Sequence, residues 1–124
     1  MTTATAEDLT TSNDWQSLCT RDDLVAHSGI AARIETRDGP AQVAIFYLPG
    51  HSPELYAIDH HDPFSGANVI ARGIVGDVVG EPVVASPLYK QHFRLRDGQC
   101  IEDEQVKLRT WRVALRDGHV LVQG

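Results

Sequence analysis

Histidines and carboxylates crowd one stretch of this 124-residue chain, Asp59-His60-His61-Asp62, with His51 upstream and His92 downstream. Imidazole and carboxylate together suit a mononuclear zinc or ferrous ion. The spacing does not favour such a site. Adjacent His60 and His61 project in different directions from an extended segment, and no His-x-His or His-x-x-x-His pair presents two imidazoles together. Surface or locally hydrogen-bonded histidines are the better reading. Arg72 and Lys90 could attract an anion, but isolated cations are more often solvated or paired with nearby carboxylates such as Asp77 and Glu81. Cys19 and Cys100 are far apart and outside any Cys-x-x-Cys spacing, so both read as buried, inert thiols. No Gly-x-Gly-x-x-Gly follows a strand to cradle a dinucleotide.

The elements that must position these residues are short apolar segments punctuated by turn chemistry, which predicts an all-β, antiparallel fold. Residues 30–36 lead through Arg37-Asp38-Gly39-Pro40 into 42–48, and Pro49-Gly50-His51-Ser52-Pro53 joins that strand to 54–58. Asp97-Gly98 and Asp117-Gly118 mark two further turns, with an alternating strand over 107–115 between them and a last strand at 119–122. Helix is scarce: Thr20-Arg21-Asp22-Asp23 resembles a capping box and could support a turn or two through Ala26 before Gly29.

The stretch 60–96 differs from its flanks. It holds two Pro-containing loops and four glycines, with little strand periodicity before Pro82-Val83-Val84-Ala85. A long irregular connection in a compact β domain is usually functional. The expected architecture is a single domain over 14–124. In it, a β-sandwich built from 14–59 and 97–124 carries a small loop-rich subdomain at 60–96, and residues 1–13 form a disordered tail. That tail lacks the basic and apolar regions of a secretory signal, and no apolar run could span a bilayer. A net charge of −6 with interspersed signs gives no basic stripe for nucleic acid or an anionic membrane. A cytoplasmic protein is expected.

Two blocks are more specific than this pattern. Asp62-Pro63-Phe64-Ser65-Gly66-Ala67-Asn68 and Ser86-Pro87-Leu88-Tyr89-Lys90-Gln91, with their surroundings, resemble the small subunit of assimilatory NAD(P)H-dependent nitrite reductase. The resemblance spans about residues 14–123. It implies a Rieske-like β-sandwich in which the four cluster-ligand positions read Asp62, Phe64, Ser86 and Tyr89 instead of two cysteines and two histidines. Phenylalanine cannot coordinate a metal, and a hydroxyl or phenol is a poor substitute for thiolate or imidazole.

The resemblance therefore implies no cofactor on this chain. It also implies a large-subunit partner carrying FAD, the NAD(P)H site, a [4Fe–4S] cluster and sirohaem, on which nitrite becomes ammonium in nitrate assimilation. This chain's own share is then non-catalytic. Without a cluster, Phe64 and Tyr89 are expected to fill the vacated space as an aromatic pair, and Asp62 to accept a hydrogen bond from Ser86 or from loop amides. The expected partner surface comprises Pro63, Phe64, Ile74, Val75, Pro87 and Leu88 beside Arg72 and Lys90. Two rival functions use the same scaffold: a Rieske-type electron carrier, which needs the missing ligands, and a stand-alone binding or mononuclear-metal domain.

Overall fold

The computed structural model describes residues 15–124, so the tail expected over 1–13 lies outside the described residues. Six strands form the larger antiparallel sheet: β1 Trp15–Thr20, β2 Ser28–Thr36, β3 Gly39–Tyr47, β4 Leu55–Asp59, β8 Thr110–Arg116 and β9 His119–Gln123. Their order across the sheet is β1-β9-β8-β4-β3-β2. A three-stranded sheet, β5 Ile74–Val78, β6 Glu81–Ala85 and β7 His92–Arg94, occupies the stretch read as loop-rich. The expected all-β, antiparallel architecture is therefore present, with the loops of the smaller unit mounted on a sheet of their own.

β3 explains how the two units share one molecule. Its run Val43–Tyr47 is apolar without alternation because both faces are covered. Val43 and Ile45 enter a core with Ile34, Val120 and Val122. Ala44 and Phe46 face the other way, into a core with Ile58, Ile70, Val84, Phe93 and Leu108 that joins the large sheet to the small one. The outer strands of the large sheet also meet. The Gln16 side chain accepts the Glu35 N–H and donates to the Glu35 carbonyl, both at 2.9 Å, so its amide bridges β1 to β2.

Local differences from the sequence reading have physical causes. The Thr20–Asp23 capping box is present, but only one 3-10 turn, Arg21–Asp23, follows it. Ala26 instead bridges Tyr47 and His27 N–H donates to the Tyr47 carbonyl at 2.7 Å, so sheet pairing recruits the residues expected in the helix. In the β2–β3 hairpin Thr36 faces Gly39, which makes Arg37-Asp38 the turn and puts Gly39, at φ +104°, into the strand.

Candidate functional site: two matched loops

The loop after β4 and the loop after β6 are the same turn built twice. In the first, the Asp62 N–H donates to the Ala67 carbonyl at 2.8 Å, and the Gly66 N–H donates to the Asp62 carbonyl at 2.7 Å. In the second, the Ser86 N–H donates to Gln91 at 2.9 Å and the Lys90 N–H donates to Ser86 at 3.1 Å. The leading side chain also serves its own loop: Asp62 Oδ1 accepts the Phe64 N–H at 2.9 Å, and Ser86 Oγ accepts the Leu88 N–H at 3.4 Å. Each turn closes on a residue with positive φ, Gly66 at +80° and Lys90 at +67°.

The leading residues also join the loops. Asp62 and Ser86 are wholly buried, and Ser86 Oγ donates to Asp62 Oδ2 at 2.6 Å. A buried polar pair costs little when its hydrogen bonds are made and much when they are not. The two remaining positions separate. Phe64 is half-buried and packs on Phe93, ring centroids 6.2 Å apart and planes inclined by 43°. Tyr89 is 61 % exposed. The expected Phe64–Tyr89 pair is thus not formed, because the turn ending in Lys90 carries Tyr89 outward while β7 brings Phe93 beneath the first loop.

The expected surface residues divide as well. Pro63, Arg72, Ile74, Leu88 and Lys90 are exposed, whereas Pro87 is half-buried and Phe64 and Val75 pack against the core. Val75 is drawn inward by strand alternation, lying opposite Val84 on the core face of the small sheet. Nor do Asp77 and Glu81 neutralise Arg72 and Lys90. Asp77 accepts the Gly80 N–H at 3.1 Å, and Glu81 pairs with Arg96 at 3.1 Å.

The histidines disperse. His61 meets Asn68 at 3.1 Å, and His92 meets Glu102 at 2.6 Å. Among the described residues, no three His, Cys, Asp or Glu side chains converge as metal ligands. Asp59 instead anchors Arg109, which reaches it at 2.8 Å and stacks 4.9 Å from the Trp111 ring. Cys19 and Cys100 are both free thiols; Cys100 is buried as expected but Cys19, on the outer strand β1, only half so, and burial pushes each pKa upward, as suits inert groups.

His60 has a structural task that the sequence did not specify. It is buried, its Nδ1 accepts the Ala71 N–H at 3.0 Å, and its carbonyl accepts the Val69 and Ile70 N–H groups. Burial, aided by the Arg72 charge, lowers its pKa below the ordinary imidazole value. A depressed histidine is neutral in the fold, so its contribution is complete above the unfolded pKa of about 6.5 and is lost as pH falls toward the folded value. Stability should drop by up to about 1.4 kcal/mol per pH unit across that window. Thermal unfolding from pH 7.5 to 5 should show this slope in the wild type and a shallower one in His60→Asn; equal slopes would assign it to other groups.

A [2Fe–2S] cluster does not fit these residues. Thiolates sharing a tetrahedral metal at bonds of about 2.3 Å lie roughly 3.8 Å apart. Here the two atoms in the thiolate positions are in hydrogen-bond contact, Phe64 has no donor atom, and Tyr89 points to solvent.

The Rieske-like [2Fe-2S] domain family matches residues 14–123. The chain is 43% identical over 112 residues to the nitrite reductase (NADH) small subunit of Salmonella typhimurium, covering 90% of this chain and 99% of that one. The chain belongs to the nitrite reductase small-subunit family. Within this family, the solution structure of the Escherichia coli protein NirD is 42% identical, with a TM-score of 0.75 over 89% of this chain and 96% of that one. The ferredoxin of carbazole 1,9a-dioxygenase from Nocardioides aromaticivorans, 19% identical with a TM-score of 0.72 over 90% of this chain and 98% of that one, shares the fold. One further relative is a nitrite reductase [NAD(P)H] large subunit of Klebsiella oxytoca, 41% identical over 111 residues. The match covers 90% of this chain but 11% of that polypeptide, so a small-subunit-like segment lies within a large-subunit chain. Among the described residues, no helix is long and apolar enough to cross a membrane.

Proposed function

We propose that this chain is the non-catalytic small subunit of an NAD(P)H-dependent nitrite reductase, acting in the cytoplasm in nitrate assimilation. Flavin, pyridine nucleotide, [4Fe–4S] cluster and sirohaem reside on the large subunit, which reduces nitrite to ammonium. The observation that carries the non-catalytic role is the 2.6 Å hydrogen bond between Ser86 and Asp62. Where an electron-transfer domain of this fold ties its loops through metal, these loops are tied by their own side chains. The membership described above supplies the partner, and the Klebsiella oxytoca polypeptide supports a lasting association between the two parts.

The paired loops form the docking face, with Pro63, Pro87 and Leu88 as apolar contacts beside Arg72 and Lys90, and with exposed Tyr89 among them. Exposed apolar anchors beside cations suit a protein interface. Leu88→Asp and Lys90→Asn should each weaken binding to the purified large subunit about tenfold while leaving the unfolding midpoint of the free chain in place. Asparagine tolerates the positive φ of position 90. Phe64→Ala is a poor probe because it strips a core contact. Unchanged affinity in both surface variants would remove the loop face from the interface. The functional reading itself is tested by nitrite-dependent NAD(P)H oxidation by the large subunit with and without this chain; no binding and no effect on that activity would end it.

A further inference from the structure

Two hairpins have two-residue turns with nearly the same φ values. In one, Arg116 faces His119 across Asp117-Gly118, with φ +51° and +79°. In the other, Val78 faces Glu81 across Val79-Gly80, with φ +51° and +82°. Positive φ at both central positions is what a type I′ hairpin turn demands, and its first position is normally Asn, Asp or Gly. The β8–β9 turn obeys this rule. The β5–β6 turn violates it with a β-branched residue, for which the left-handed region is a genuine outlier.

Burial does not compensate for that choice. Val79 is 99 % exposed, so it contributes nothing to the core. Among the described residues, four non-glycine positions have positive φ, His27, Val79, Lys90 and Asp117, and of these Val79 alone is β-branched. A local rule broken without an internal gain points to a gain outside the chain.

Its neighbours extend the same surface. β5 is one of the two outer strands of the small sheet, and among the described residues no strand pairs with its free edge. Ile74, at the opposite end of β5 from Val79, is 69 % exposed and faces Ala85, next to the second loop. β5 therefore forms an edge strip with exposed apolar side chains at both ends, Ile74 and Val79, and with exposed Gly76 and Asp77 between them.

We infer that the large subunit covers this strip and buries Val79 as an anchor in an apolar pocket. The inference rests on the functional reading above and extends its docking face from the loops to the hairpin. The large subunit is the occupant that the relatives support, because the Klebsiella oxytoca polypeptide holds the same domain covalently within a large-subunit chain. Among the described residues, Val79 has the largest exposed fraction of the large apolar side chains.

The test uses the full chain, the purified large subunit and Val79→Asn. Asparagine fits the left-handed turn, so the free variant should unfold about 5 °C higher than wild type. Its affinity for the large subunit should nevertheless fall at least about tenfold. A turn that matters only within the chain predicts the rise in midpoint with unchanged affinity, and that result would overturn the inference. So would unchanged affinity accompanied by loss of self-association in sedimentation, which would make a second copy the occupant. If wild type itself fails to bind the large subunit, the functional reading falls first, and the two failures are distinguishable.

Discussion

Phe93→Ala should cost about 3–5 kcal/mol of folding stability, the largest single effect expected in this chain. Phe93 is wholly buried in the core between the sheets, among Phe46, Ile70, Val84 and Leu95. Truncation removes the transfer energy of the ring and leaves a cavity that a sheet-to-sheet contact closes poorly. It also removes the support beneath Phe64, so the first loop should loosen along with the core. Denaturant unfolding of wild type, Phe93→Ala and Phe64→Ala separates these effects. Half-buried Phe64 should cost distinctly less. A Phe93→Ala loss below about 1.5 kcal/mol would mean that the small sheet is not held by this contact.

Ser86→Ala should cost about 2–3 kcal/mol, far more than one methyl-sized hydroxyl normally would. The reason lies in what it leaves behind: Asp62 Oδ2, wholly buried, loses the hydroxyl that reaches it at 2.6 Å. Removing one partner of a buried pair incurs the desolvation cost of the other, whereas removing both avoids it. A cycle of Ser86→Ala, Asp62→Ala and the double variant should therefore show the double costing less than the sum of the singles. Strict additivity would show that the loops are held by their backbone bonds alone. Amide exchange at Phe64 and Leu88 reads the same question locally, since both N–H groups bond to this pair.

The sequence made the large strands legible where local chemistry and burial agree. The continuous apolar run of β3 and the Asp117-Gly118 turn behave as their residue types dictate. Strands β5 and β7 were harder to read because their short segments mix core and surface roles. In β5 only Val75 turns toward the core, and Gly76 and Asp77 interrupt any apolar signal. The contact between Asp62 and Ser86 could be anticipated because the resemblance placed both at positions the fold brings together. The partner of Phe64 could not. It depends on how β7 returns beneath the first loop, a relation between residues 29 positions apart that no local pattern encodes. His60 illustrates the same limit: the sequence left it a surface or locally hydrogen-bonded ring, whereas tertiary burial makes it an acceptor for the Ala71 amide, eleven residues on.

The bridge from Gln16 to Glu35 bears on how this molecule avoids unwanted company. Outer strands are templates on which other chains can stack, and proteins blunt them with charges, bulges or cover. Here one side-chain amide reaches both main-chain groups of Glu35, occupying positions where an invading strand would begin to pair. The seam of the large sheet is thereby closed to aggregation at that point, leaving the margin of the small sheet as the place where recognition can be selective.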